Sequence, residues 1–138
     1  MRTQIYNATV TNIVEAEYDD VLNCIIVTWY NMIAINDLEP CSRAQIKTIK
    51  EHNAKCVIMN TEYAKNTIRK DDMDWIEAFY FPRLLHAGLR DIIIIPPVSS
   101  LTKEALENYQ DIAEKNGITV HLCPDSESAY EKTKSLNK

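Results

Sequence analysis

The chain has 138 residues, the size of one domain, and 46% of them are hydrophobic while 25% are charged, an ordinary globular composition. The formal net charge of −5 argues against a nucleic-acid partner, because phosphate binding needs clustered lysine and arginine, and the basic residues here are scattered. The longest wholly apolar run, 92–98, is far shorter than the roughly 20 residues of a membrane span. We therefore expect one domain over residues 1–138, with no nucleic-acid partner and no membrane span.

The cysteines favour a cytoplasmic location. Residues 1–10 lack the apolar stretch of a signal peptide, so nothing indicates export to an oxidising compartment. Three of the four cysteines lie inside or beside apolar runs, where a free thiol behaves as a small hydrophobic side chain. We expect all of them to be reduced: Cys24, Cys41, Cys56 and Cys123.

The first third of the chain predicts an antiparallel hairpin. Residues 11–18 alternate weakly between apolar and polar side chains, Asp19 and Asp20 are a turn signal, and residues 21–30 form a second extended run. That second strand is apolar on both faces around residues 25–27, which predicts a central position in the sheet.

A helix and a strand follow the hairpin. Asp37 is a plausible N-cap, and Pro40 falls in the first turn, where a missing N–H costs little. Apolar side chains then recur at helical spacing as far as His52. Residues 55–60 are a short apolar run and predict a buried strand.

The next predicted helix, residues 72–87 with Asp71 as its cap, has aromatic side chains on more than one side. One stripe holds Met73, Ile76, Tyr80 and Leu84, while Trp75 and Phe79 lie on a second side and Phe81 on a third. Pro82 is expected to remove a backbone hydrogen bond and bend the last turn. Because these aromatics cannot all face one sheet, three alternatives stay open: core packing, a self-association face, and the wall of an apolar pocket.

The last third of the chain continues the alternation of strand and helix. Residues 90–95 predict a strand buried on both faces, and Thr102 is expected to cap a helix with Leu101 packed on Leu106. Residues 118–122 and 126–135 predict a final strand and helix. The order β-β-α-β-α-β-α-β-α indicates an α/β fold with helices over a mixed, mostly parallel sheet.

No catalytic or cofactor motif is assembled in the sequence. Gly88 and Gly117 are both used as helix C-caps, so none is left for a phosphate-binding loop, and zinc-protease and serine-hydrolase signatures are absent. We therefore predict no catalytic residues, no metal ligands and no cofactor. An enzyme is the third alternative, and its best residues are Cys56, His52 and Glu62.

A weak anion site is predicted where a strand ends and a helix begins. Ligands collect beyond the carboxyl ends of parallel strands, and Ser99 and Ser100 stand there before the helix that follows residues 90–95. Ordinary helix capping explains the same residues.

The stretch from Asp71 to Ile95, D-D-M-D-W-I-E-A-F-Y-F-P-R-L-L-H-A-G-L-R-D-I-I-I-I, resembles a group of uncharacterised bacterial proteins of the SpoIIAA-like superfamily, which includes the STAS domains of anti-sigma-factor antagonists. The order of elements over most of the chain is similar as well. The resemblance implies a regulatory module switched by phosphorylation of a Ser or Thr at the start of this helix. Asp71 occupies that position here, which leaves Thr61 and Thr67 in the preceding loop as weak switch candidates.

Two functional hypotheses follow. The first is a non-enzymatic regulatory or protein-interaction module that acts as a homodimer through one surface: Trp75, Phe79, Phe81, Pro82 and Arg83. The alternative is a small-molecule or lipid-binding domain with its pocket between the 72–87 helix and the sheet edge. The resemblance supports this alternative too, because the superfamily is similar in outline to lipid-carrying domains.

Overall fold

The structure is a computed structural model that describes residues 1–32 and 36–137. Its strands are β1 (Arg2–Asn7), β2 (Val14–Asp19), β3 (Cys24–Trp29), β4 (Cys56–Asn60), β5 (Asp91–Ile95) and β6 (Thr119–Leu122). Its helices are α1 (Leu38–His52), α2 (Lys70–Trp75), a π-helical turn (Ile76–Tyr80), α3 (Phe81–Ala87), α4 (Ser100–Lys115) and α5 (Ser126–Leu136).

Within these residues the strands form one mixed sheet in the order β1-β2-β3-β4-β5-β6. The pairs β1–β2 and β2–β3 are antiparallel, and the pairs from β3 to β6 are parallel. The predicted α/β class with a mostly parallel sheet is confirmed. The predicted hairpin is β2–β3, with Val14 opposite Trp29.

The sequence-based prediction missed strand β1. Its side chains are exposed or half-buried, because it lies at the edge of the sheet and packs little apolar surface. Hydrophobic alternation is therefore absent from it. Strand β2 also begins at Val14 rather than at residue 11, since residues 8–13 form the connection from β1.

The sheet has a hydrophobic core on each face. Three successive crossover connections, through α1, α2–α3 and α4, each advance by one strand in the same direction across the sheet. Because crossovers between parallel strands share one handedness, these helices lie on one face of the sheet. The larger cluster of buried side chains lies on that face. Helix α5 packs on the other face against β4 and β5, over Cys56, Ile58, Ile93 and Ile95.

The segment 70–87 is continuously helical and begins at Lys70, so Asp71 lies inside its first turn and is not its cap. A π-helical turn, Ile76–Tyr80, lies directly before the turn that holds Pro82. Within the π-helical turn the Phe81 N–H donates to the carbonyl of Ile76, five residues back. The wider turn accommodates a proline ring that clashes with the preceding carbonyl in a regular α-helix. Gly88 has φ 107° and ends the segment in the left-handed conformation, as predicted.

The prediction that Thr102 caps α4 is wrong. Ser99 is the N-cap, and its Oγ accepts a hydrogen bond from the Thr102 N–H. The Thr102 hydroxyl is buried and donates to the carbonyl of Asn66 at 2.7 Å, so it fixes the preceding loop against the helix. Leu101 lies in the first turn of α4 and is 54% exposed, so it is not the residue before the cap that the predicted contact with Leu106 requires.

Candidate functional site

A cavity of about 40 Å³ lies between α1, the α2–π segment and the carboxyl ends of β3 and β4. This volume has room for a few water molecules or a small organic group, far below the roughly 300–1,000 Å³ of a drug-sized site. The wall is mostly apolar and rich in aromatic rings. Its residues include Val27, Trp29, Met32, Leu38, Cys41, Ser42, Gln45, Val57, Met59, Ile68, Asp72, Trp75, Ile76, Tyr80 and Tyr109.

Regular backbone spacing brings these side chains to one place. On β3 and β4, alternate residues point to the helix-covered face and supply the floor: Val27, Trp29, Val57 and Met59. Helix α1 contributes positions 38, 41, 42 and 45, which share one helical face. Asp72, Ile76 and Tyr80 follow at intervals of four on the α2–π segment.

Three polar side chains in the wall are joined by hydrogen bonds. The Tyr80 hydroxyl donates to Gln45 Oε1 at 2.6 Å, and Gln45 Nε2 donates to Cys41 Sγ at 3.4 Å. The Ser42 hydroxyl donates to the Glu39 carbonyl at 2.8 Å. Burial raises the pKa of Tyr80 well above its ordinary value and that of Cys41 to about 11. These groups are therefore neutral at physiological pH.

Asp72 is the exception. Its residue is 4% exposed, and its Oδ2 is buried without a hydrogen-bond partner among the described residues. Burial raises the pKa of this carboxyl above its ordinary value, while the charge of Arg69 acts in the opposite direction. An unsatisfied buried polar group costs about 1–3 kcal/mol, and such groups are rare in native proteins. The described residues do not supply the hydrogen-bond donor that Asp72 Oδ2 requires.

The predicted contact surface is divided between the core and the exterior. Phe81 is fully buried, 5.2 Å from the Tyr109 ring in an edge-on contact, so it packs the core and is not available on the surface. Phe79 is 46% exposed, and Pro82 and Arg83 are exposed as well. The half-buried Trp75 lies in the cavity wall.

Trp75, Phe79 and Arg83 form one cluster at the outer side of the cavity. The two rings are 5.9 Å apart, and the Arg83 guanidinium lies 5.9 Å from the Trp75 centroid and 5.5 Å from that of Phe79. Arg83 also lies 3.7 Å from the Glu39 carboxylate, which links α3 to α1. We call Trp75, Phe79 and Arg83 the aromatic–arginine cluster.

The predicted switch and anion residues lie elsewhere and do not assemble one site. Thr61 is fully buried and donates to the Ile95 carbonyl at 2.6 Å, so a kinase has no access to it. Thr67 and Ser100 are exposed, whereas Ser99 is engaged in capping α4. The cleft beside Thr67 contains the Glu104 carboxylate, which disfavours an anion.

The residues of the enzyme alternative are also apart. Cys56 is fully buried under α5, whereas His52 is exposed and stacks on Tyr18 with ring centroids 4.3 Å apart. Glu62 is exposed beyond the end of β4. Within the described residues, no three His, Cys, Asp or Glu side chains are grouped so that they can hold a metal ion.

Sequence reasoning missed Asp72 because it took Asp71 as the helix cap and gave the next residue no functional role. A usable signal was present. Asp72 precedes Ile76 and Tyr80 at intervals of four, so it lies on the apolar stripe and not on the solvent face. A carboxylate on an apolar stripe indicates either a buried partner or a ligand.

Comparisons with known proteins identify no relative. No protein-family model matches the chain, and no curated protein or solved structure is significantly similar to it. In residues 1–32 and 36–137, the helices are all too short or too polar to span a bilayer. The cavity and its buried carboxylate therefore carry the functional argument on their own.

Proposed function

We propose that this protein is a small-molecule-binding domain whose ligand occupies the cavity between α1 and the α2–π segment. The observation that carries the proposal is the buried, unpartnered Oδ2 of Asp72 in the wall of that cavity. Small-molecule sites are typically apolar and concave, with few polar groups that orient the ligand. A ligand donor bonded to Asp72 removes the cost of the unsatisfied oxygen.

The π-helical turn supports the same proposal. Single π-helical turns within α-helices are frequent at functional sites, and this one carries Ile76 and Tyr80 into the cavity wall. The small volume favours a compact ligand over a lipid chain.

Native mass spectrometry of the purified protein tests the proposal, with two matched variants. Ser42→Leu adds a branched side chain inside the cavity, whereas Arg43→Leu adds the same side chain at the next, exposed position. We expect a bound small mass on the wild type and on Arg43→Leu, and none on Ser42→Leu. The proposal fails if the wild type is bare and a library of small amines, alcohols and acids does not raise its Tm.

A second candidate function is protein contact through self-association, and the aromatic–arginine cluster favours it. An aromatic ring that is 46% exposed beside an arginine has the composition of an interface hot spot. Sedimentation velocity of the wild type and of Phe79→Ala tests it. A homodimer that Phe79→Ala dissociates supports this candidate, and a monomeric wild type rejects it.

The SpoIIAA-like assignment, with its regulatory role, remains part of the proposal at the level of family. Its support is the residue pattern from Asp71 to Ile95 and the alternation of helix and strand after β3. A cytoplasmic location is supported by the four cysteines, which are buried and free.

A further inference from the structure

We propose that the ligand of the cavity is a small alkylammonium ion, which donates an N–H to Asp72 Oδ2 and places its alkyl carbons against the rings of Trp29, Trp75 and Tyr80. This inference rests on the proposed function and adds the chemical class of the ligand. It follows from the charge of the site, from its aromatic wall and from its size.

The Asp72 carboxylate requires a hydrogen-bond donor from the ligand, and its negative charge favours a cationic donor. A carboxylate oxygen only accepts hydrogen bonds, and charge-assisted bonds from an ammonium are stronger than bonds from a neutral donor. Among the described residues, no lysine, arginine or histidine forms an ion pair with Asp72. Lys70, two residues before it, bonds instead to Asp74 at 3.0 Å, and Arg83 is beside Glu39.

The aromatic wall has the matching preference. The face of an aromatic ring is negative, so tryptophan and tyrosine rings attract alkylammonium groups in desolvated sites. Trp29, Trp75, Tyr80 and Tyr109 all line the cavity. The Tyr80 hydroxyl donates to Gln45 Oε1 and Gln45 Nε2 donates to Cys41 Sγ, and neither side chain bonds to Asp72 Oδ2.

Size and charge exclude other ligand classes. An anion is repelled by Asp72, and a long acyl chain exceeds the cavity of about 40 Å³. A compact neutral alcohol fits by shape, and it is therefore the correct comparison in a binding experiment.

The test is a titration of the full chain with methylammonium chloride, followed by NMR on the indole N–H signals of the two tryptophans, Trp29 and Trp75. Methanol is the neutral ligand of similar shape, and sodium chloride at equal ionic strength controls for screening. The variants are Asp72→Asn, which removes the buried charge, and Asp71→Asn, which removes an exposed carboxylate from the same turn.

We expect saturable binding of methylammonium to the wild type, the same affinity within twofold for Asp71→Asn, and at least tenfold weaker binding to Asp72→Asn. Methanol should bind at least tenfold more weakly than methylammonium. Equal affinity of the wild type and Asp72→Asn overturns the inference, and so does equal affinity for the alcohol. Should Asp72→Asn not fold, Trp75→Leu provides the second test, because it removes an aromatic wall and keeps the carboxylate.

The two proposals fail separately. A bound neutral mass in native mass spectrometry, with no response to methylammonium, keeps the binding function and rejects the ammonium ligand. An empty protein that responds to neither probe rejects both.

Discussion

Asp71 and Asp72 are adjacent carboxylates in one helical turn with opposite environments. Asp71 is exposed, where a negative charge interacts favourably with the start of a helix. Asp72 has the same proximity to the helix start, but burial raises its pKa and its Oδ2 has no partner in the described structure. Desolvation outweighs the helix dipole at Asp72, because an unsatisfied buried polar group costs about 1–3 kcal/mol and the dipole contributes about 0.3–1 kcal/mol.

Asp72→Asn is expected to increase the free energy of unfolding of the ligand-free protein by about 1 kcal/mol at pH 7, since it removes a buried charge. The folded-state pKa of Asp72 is raised, so its destabilising effect is complete above that pKa and disappears as pH falls towards the unfolded value near 4. The difference between the variant and the wild type should therefore shrink between pH 7 and pH 4. Urea unfolding at several pH values measures it.

Asp71→Asn is the control for that experiment. Loss of the exposed carboxylate should lower the free energy of unfolding by a few tenths of a kcal/mol. A stability gain in both variants would mean that general charge reduction, and not burial, is the cause; the charges that face Asp72 include Arg69 and Asp71.

At the level of elements, packing determines which aromatic side chains of the segment 70–87 are buried. Helical periodicity alone left this open, because it placed the aromatics on more than one side. Phe81 is fully buried and Phe79 is 46% exposed, although only one residue separates them. The π-helical turn before Pro82 changes the angular relation between residues on its two sides, so α2 and α3 do not share one regular 3.6-residue stripe. A helical projection at 100° per residue therefore misplaces Phe81 relative to the rings before it.

Phe81→Ala and Phe79→Ala should differ strongly in stability. Removing the buried ring of Phe81 leaves a cavity beside Tyr109 and should cost about 3–5 kcal/mol. Removing the exposed ring of Phe79 should change the free energy of unfolding by less than about 1 kcal/mol. Chemical denaturation followed by circular dichroism distinguishes the two. Similar costs for both variants would contradict the burial described here.

At the scale of the whole molecule, two hydrophobic cores share one sheet. Ile92 and Ile93 are neighbours in β5, both are fully buried, and they point to opposite faces. Both tryptophans, Trp29 and Trp75, belong to the core under α1 to α4, so tryptophan fluorescence reports on that face alone. The core under α5 is smaller.

Ile92→Ala and Ile93→Ala should each cost about 2–5 kcal/mol, and each protein should unfold in a single transition, because both side chains stabilise the same strand. Circular dichroism detects the whole chain, and tryptophan fluorescence detects one face. An Ile93→Ala protein whose circular dichroism changes before its fluorescence would show that α5 unfolds as a separate unit.

The α/β class and the position of most elements follow from local patterns. Residues 25–27 and 90–95 are apolar on both faces, which is sufficient to place β3 and β5 inside a covered sheet. Gly88 ends a helix because a left-handed residue is required there, and that signal is local as well. A pocket between the 72–87 helix and the sheet edge stays a prediction of the sequence.

Tertiary structure decided the rest. Strand β1 is polar and forms only because its backbone pairs with β2. Thr102 is buried only because residues 64–66 pack over it. Asp72 is buried by residues from distant parts of the chain, and the hydrogen bond from Tyr80 to Gln45 also joins residues that are far apart in the sequence. Sequence periodicity reports which side of an element is apolar, but the partner of a polar side chain depends on which elements meet in space, and only the folded chain determines that.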